Sequence, residues 1–339
     1  MADFQKLQDK YRGCLVGGAV GDALGFTVEF FPYYKIVEEY GRNGITEYDI
    51  KDGGKAKISD DTQMTYFTGN AFRNLDLTDI TRIGKKEIVN TIYNQYLIWV
   101  KGQLEGYDKS SKLNPVLFEH RAPGNTCMTA LLGKEKGTPY HKINDSKGSG
   151  GIMRVAPIGL IGAQCSYADI FKLGVDAAAI THTHELGYIP AGILVAIIKG
   201  IVNGEKLERA IDKAVLLAQD YYISDENQRI QEYLIQKAKE FSQKDMSDEE
   251  AINMLGDGWV AEEAIAIAIY CALKHIDSFD DAVVAAVNHG GDSDTTGAIT
   301  GNIMGALLGY DAIPEEFKHN LELEEDLLEL AENLFINIK

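Results

Sequence analysis

Apolar positions along the chain recur at helical spacing almost everywhere, and the two-residue alternation of a half-buried strand is scarce. Seven prolines in 339 residues leave long stretches without a breaker. Several helix ends are legible. "SDEEAINML" sets Ser247 and Glu250 at capping-box spacing ahead of an apolar run, and "SFDDAVVAAVNHGG" runs from Ser278, a good N-cap, to Gly290, a good stop. Residues 260–275, "VAEEAIAIAIYCALKH", are apolar nearly all round after an acidic first turn, which predicts a helix buried on most sides. Gly, Pro, Ser, Asn and Lys collect in residues 41–57 and roughly 102–151, which are expected to be loops. No linker-like composition divides the chain, so the pattern predicts one compact all-α domain over residues 1–339.

Two helices carry a bare stripe. Gly13, Gly17, Gly21 and Gly25 recur every four residues in "GCLVGGAVGDALG", and Gly297, Gly301, Gly305 and Gly309 do so in "GAITGNIMGALLG". Each interior glycine costs a helix roughly 1 kcal/mol relative to alanine, so close approach of another backbone is expected in compensation. A membrane pairing motif is excluded by Asp22 and the neighbouring acidic segments.

Beside each stripe stands an acidic run. In "ISDDTQMT", Ser59 as N-cap puts Asp60 and Asp61 in the first turn of a helix whose apolar face runs through Met64, Phe67, Ala71 and Phe72. In "GGDSDTTG", Asp292, Asp294 and Thr295 stand at the start of the second glycine helix. Either run alone reads as a dipole-favoured cap. Together, four aspartates with Ser59 and Thr295 offer only hard oxygen donors, the set that Mg²⁺, Mn²⁺ or Ca²⁺ prefers over zinc, and two Asp pairs suit a two-metal centre. The two runs lie near opposite ends of the sequence, so the chain is expected to close on itself.

Composition limits the partners. A formal charge of −18 argues against nucleic acid and anionic membrane, both of which need a basic surface. Cys14, Cys127, Cys165 and Cys271 show no CxxC spacing, which suits free thiols in the cytoplasm. The N-terminus lacks a signal-peptide core, and no apolar run is expected to reach the ~20 residues of a membrane helix.

In order along the chain, "GCLVGGAVGDALGFTVEF", "SDDTQMT", "RAPGNTCMTAL", "GSGGIMRVAPIGL", "THTHELGYIPAG", "GWVAEEAIAIAIYCAL" and "NHGGDSDTTGAITGNIMGALLG" resemble the ADP-ribosylglycohydrolases, the group that includes the dinitrogenase reductase activating glycohydrolase and the ADP-ribosyl-acceptor hydrolases. The resemblance implies a compact all-α bundle with a binuclear Mg²⁺ or Mn²⁺ centre that cuts the bond between ADP-ribose and a side chain. It implies metal ligands Ser59, Asp60, Asp61, Asp292, Asp294 and Thr295, where the family more often has Thr in place of Ser59. Glu29 matches the acidic residue beside the scissile bond and, with Asp60 and Asp61, makes the expected catalytic set; Asp22 is expected to support the ligands from behind. Gly124, Asn125 and Thr126, then Ser146, Gly148, Ser149, Gly150 and Gly151, match the glycine-rich diphosphate and ribose cradle, with helix expected to follow at once in "IMRVAPIGL". Lys147 stands where some relatives carry an aromatic that stacks on adenine. His182 matches the family's "TH" beside the substrate, whereas His184 is expected to face elsewhere. The implied partner is ADP-ribose on a modified protein, possibly through arginine, with the enzyme a monomer. Two alternatives are hydrolysis of small ADP-ribose derivatives and a non-catalytic, crystallin-like structural role.

Overall fold

The glycine stripes face each other. In the computed structural model, which describes residues 2–50, 54–73, 75, 83–161 and 165–336, the helices Ala2–Phe26 and Ser293–Leu308 run antiparallel with Gly13 on Gly305, Gly17 on Gly301 and Gly21 on Gly297. A methyl group on Gly17 would sit 2.5 Å from the Gly301 carbonyl oxygen, and one on Gly297 2.5 Å from that of Gly21. The stripes are offset by one turn, so that Gly25 rests on the backbone of Ser293 and Asp294 and Gly309 meets Asp9. Backbone-to-backbone dispersion thus replaces the helix propensity that the glycines forfeit.

This pair is the spine on which the other helices pack. On one side lie Ala261–Lys274, buried over nearly its whole length as its sequence predicts, and the long apolar helix Glu185–Val202. The latter is long and apolar enough to cross a membrane, which corrects the expectation that no run reaches that length. Tyr167–Ala179 and Leu207–Gln219 pack against it, and 89% of its apolar window is buried inside the protein. On the other side, the C-terminal helix Glu324–Ile336 lies along the first helix: the Phe4 and Phe335 rings meet at 4.6 Å, and Arg12 Nε donates to Glu332 at 2.6 Å. The chain does close on itself. The helix Asp60–Asn70 is tied to Lys85–Glu105 by Trp99 Nε1, which donates to Gln63 Oε1 at 3.0 Å. Among the described residues there is no sheet, only three isolated bridges.

Three local expectations are corrected. The supposed loop 102–151 contains the helix Asn125–Leu132, because Pro123 and Gly124 precede its first turn rather than interrupt it. The helix over 152–160 forms only at Ala156–Leu160, with Pro157 in the first turn where its missing N–H costs nothing. The helix after Ser278 ends at Val287, short of Gly290, because the Asn288 side chain closes it: Nδ2 donates to the carbonyls of Val284 and Ile45 at 2.8 and 2.9 Å. Residues 41–57 are non-helical where described; residues 51–53 lie outside the described set.

Candidate active site

Both acidic runs are aimed by backbone hydrogen bonds. Ser59 caps the helix Asp60–Asn70, its hydroxyl accepting the Asp61 N–H at 3.1 Å. Asp22, fully buried on the first glycine helix, accepts the N–H groups of Ser59 and Thr62 at 3.0 Å each, and the Thr62 hydroxyl as well. Its carboxylate therefore holds the helix start against the glycine spine. Asp60 donates its N–H to the Arg121 carbonyl at 3.0 Å and accepts the Gly124 N–H on Oδ2 at 3.1 Å. In the second run the Asp292 N–H donates to the Asp257 carbonyl at 2.8 Å, and Asp292 Oδ2 accepts the Ser149 hydroxyl at 2.6 Å. The spine brings the runs together, because Gly25 and Ser293 are in contact at its end.

Between them opens a cavity of about 430 Å³. Of the residues singled out from the sequence, Glu29, Asp60, Asp61, Gly124, Asn125, Ser149, Gly150, Asp292, Asp294 and Thr295 are on its wall. Ser59, Thr126, Ser146, Gly148, Gly151 and His182 are not among the lining residues. Thr126 Oγ1 and Ser146 Oγ lie 3.1 Å apart and latch the two glycine-rich loops to one another. His182 backs the second loop: Arg154 donates to the Thr181 hydroxyl at 2.6 Å, that hydroxyl is hydrogen-bonded to His182 Nδ1 at 2.8 Å, and the ring's Nε2 edge faces Gly148 and Gly150. Burial, with the nearby Arg154 cation, pushes the His182 pKa down to about 3, so the ring stays neutral. Sequence reasoning missed Phe30, His120, Ala122, Pro123, Met153 and Trp259 on the wall. His120, Ala122 and Pro123 adjoin the "GNT" loop in sequence, a proximity that was there to be used.

The wall carries five carboxylates, Glu29, Asp60, Asp61, Asp292 and Asp294, and no lysine or arginine. Glu29, Asp292 and Asp294 each place a carboxylate oxygen within 4.8 Å of the others. Burial, reinforced by Asp292, Asp60 and Asp22, raises the Glu29 pKa to about 8. Asp60 is raised to about 8 chiefly by burial, while Asp61 and Asp294 are held well above the ordinary carboxylate range for the same reason and by their acidic neighbours. Glu29 Oε2 and Asp61 Oδ2 are buried without a hydrogen-bond partner among the described residues. Orphaned oxygens, uncompensated negative charge and an all-oxygen donor set together fit a hard divalent cation.

The whole chain matches a known pattern. The ADP-ribosylglycohydrolase family model matches residues 3–339. The chain belongs to the ADP-ribosylglycohydrolase family. It is 28% identical to ADP-ribosylhydrolase ARH3 of Mus musculus, over 96% of this chain and 90% of that protein. It is 27% identical to ADP-ribosylarginine hydrolase Tri1 of Serratia proteamaculans, over 96% and 79%, and 25% identical to the ADP-ribosyl-[dinitrogen reductase] glycohydrolase of Rhodospirillum rubrum, over 94% and 92%. A solved ADP-ribosylglycohydrolase-related protein complex superposes with a TM-score of 0.70 at 22% identity, covering 99% of this chain and all of that one, and so shares the fold. The spine and acidic cavity described above are thus those of a family member.

Proposed function

We propose that this glycohydrolase-family protein hydrolyses the bond between the anomeric carbon of ADP-ribose and an acceptor side chain of a modified protein, arginine being the acceptor we favour. The observation that carries this reading is the convergence of five carboxylates, without a balancing cation, on one cavity flanked by glycine-rich loops. Ser59, Asp60, Asp61, Asp292, Asp294 and Thr295 would hold two divalent cations, Mg²⁺ or Mn²⁺. Bound there, such cations supply an activated water and a grip on the ribose hydroxyls. The chain's own groups do the rest. Gly124, whose N–H is held by Asp60, and Asn125 open a helix at the cavity wall, where the first-turn N–H groups that follow and the helix dipole favour a diphosphate. Glu29, on the cavity wall within reach of Asp292 and Asp294, orients the reacting group or protonates the leaving side chain as positive charge develops on the sugar. We place the enzyme in the cytoplasm, in keeping with the absence of a disulfide among its cysteines, and take it to be a monomer. Purified protein with Mg²⁺ or Mn²⁺ is expected to release ADP-ribose from modified peptides and to lose that activity on chelation. Full turnover in excess EDTA would refute the metal-dependent reading, and activity confined to small ADP-ribose esters would move the substrate away from protein.

A further inference from the structure

We propose that Phe30 and Trp259 form the surface that reads the acceptor, and that this surface selects a planar cation, the guanidinium of arginine. The proposal rests on the glycohydrolase reading above. Both rings are on the cavity wall, 6.0 Å apart and nearly parallel at 20°. Phe30 is 70% exposed and Trp259 41%, so neither ring is there to fill the core. Large aromatics left in solvent side by side at the mouth of a cavity mark a recognition surface.

Their supports are those of the reacting groups. The Trp259 carbonyl accepts the Ser149 N–H at 3.1 Å, and two residues earlier the Asp257 carbonyl accepts the Asp292 N–H at 2.8 Å. Phe30 follows Glu29 directly, in a turn closed by the Phe31 N–H to the Val28 carbonyl at 2.8 Å. The pair is therefore fixed relative to both the acidic cluster and the glycine-rich loop. Adenine is separated from the anomeric carbon by two riboses and a diphosphate, whereas the acceptor atom is bonded to that carbon. A ring adjoining the residue beside the scissile bond meets the acceptor. A guanidinium is attracted to an aromatic face and to carboxylates at once, and no lysine or arginine on the wall repels it. A neutral hydroxyl-bearing acceptor gains from neither.

The test compares arginine-linked and serine-linked ADP-ribosyl peptides as substrates of the wild-type protein with Mg²⁺, and of Phe30→Leu, Trp259→Leu and Trp259→Phe. The ratio of kcat/KM for the arginine-linked to the serine-linked peptide is expected to fall about tenfold in each Leu variant, mainly through KM, and to be restored by Trp259→Phe. Calorimetric affinity for free ADP-ribose is expected to move less than ~2-fold, because the nucleotide does not touch the pair. Equal losses on both peptides, or loss of ADP-ribose affinity in step with turnover, would overturn the proposal; the second result would assign the rings to adenine. A wild-type preference for the serine-linked peptide overturns it while leaving the hydrolase reading intact. Wild-type protein that cleaves neither peptide removes both.

Discussion

Substituting Gly17 with alanine tests whether the glycine spine supports the molecule through backbone contact. The new methyl would lie 2.5 Å from the Gly301 carbonyl oxygen and 2.9 Å from the Phe279 ring, with a peptide group, not a flexible side chain, as the nearer obstacle. Relief requires the helices to separate by about 1 Å to reach normal contact near 3.5 Å, and a gap of that size forfeits up to half of each facing dispersion contact. Overpacking of this kind costs ~1–3 kcal/mol, and the rigid obstacle argues for the upper end. Alanine returns roughly 1 kcal/mol of helix propensity. The net is a destabilisation of about 2 kcal/mol, read as a Tm lower by roughly 3 °C in a chain of this length. Gly133→Ala is the control, since its methyl would find nothing closer than 3.4 Å, and it should melt at or slightly above wild type. A Gly17→Ala protein as stable as that control would refute the argument from backbone approach.

Asp294→Asn should abolish both Mn²⁺ binding and turnover, whereas Glu29→Gln should retain Mn²⁺ and lose turnover by ~10²–10⁴-fold; a fully active Glu29→Gln would show that another group handles the proton. Chelated protein should have an unusual pH profile. Glu29 and Asp60 are raised to about 8 and Asp22 to about 6, chiefly by burial, from the ordinary carboxylate range of about 4, so between those limits the folded state binds more protons than the unfolded one. Stability must then fall as pH rises from roughly 5 to 8, and saturating Mg²⁺ should flatten the slope; a melting temperature that climbs over this range in EDTA would contradict the buried charge cluster. Arg121→Lys should cost about 2–3 kcal/mol and weaken Mn²⁺ binding severalfold, because the buried guanidinium joins Ile58, Glu119 and Glu322 while its carbonyl holds the Asp60 N–H. Unchanged melting and unchanged Mn²⁺ titration would show that the bracket is dispensable.

What the sequence displayed was local chemistry at fixed spacing. Ser59, Asp60 and Asp61 read as a helix start because capping depends on a few consecutive residues, and the core helix 260–275 because its apolar surface is continuous. The glycine stripes were visible, but not that they face each other one turn out of register, which only the packing decides. Asp22 and Arg121 act through partners distant in sequence, such as Thr62 and Glu322, so no window along the chain contains their roles. Trp259 stands just ahead of the core helix, and nothing in the residues around it marks it as exposed. Its exposure depends on Gly258, whose φ of +82° turns the chain just before the helix begins.

The antiparallel spine also has a history during synthesis. The stripe from Gly13 to Gly25 is made near the beginning, and its partner from Gly297 to Gly309 near the end. At ~5–20 residues per second, the first helix waits roughly 15 to 60 s for the surface it was shaped to meet. Through that interval the bare face has no mate, and only one of the two acidic runs exists, so a nascent chain has nothing with which to enclose a cation. Premature termination before residue 290 therefore yields no partially working enzyme. The first helix is paired only late, once the partner stripe from Gly297 to Gly309 has been made.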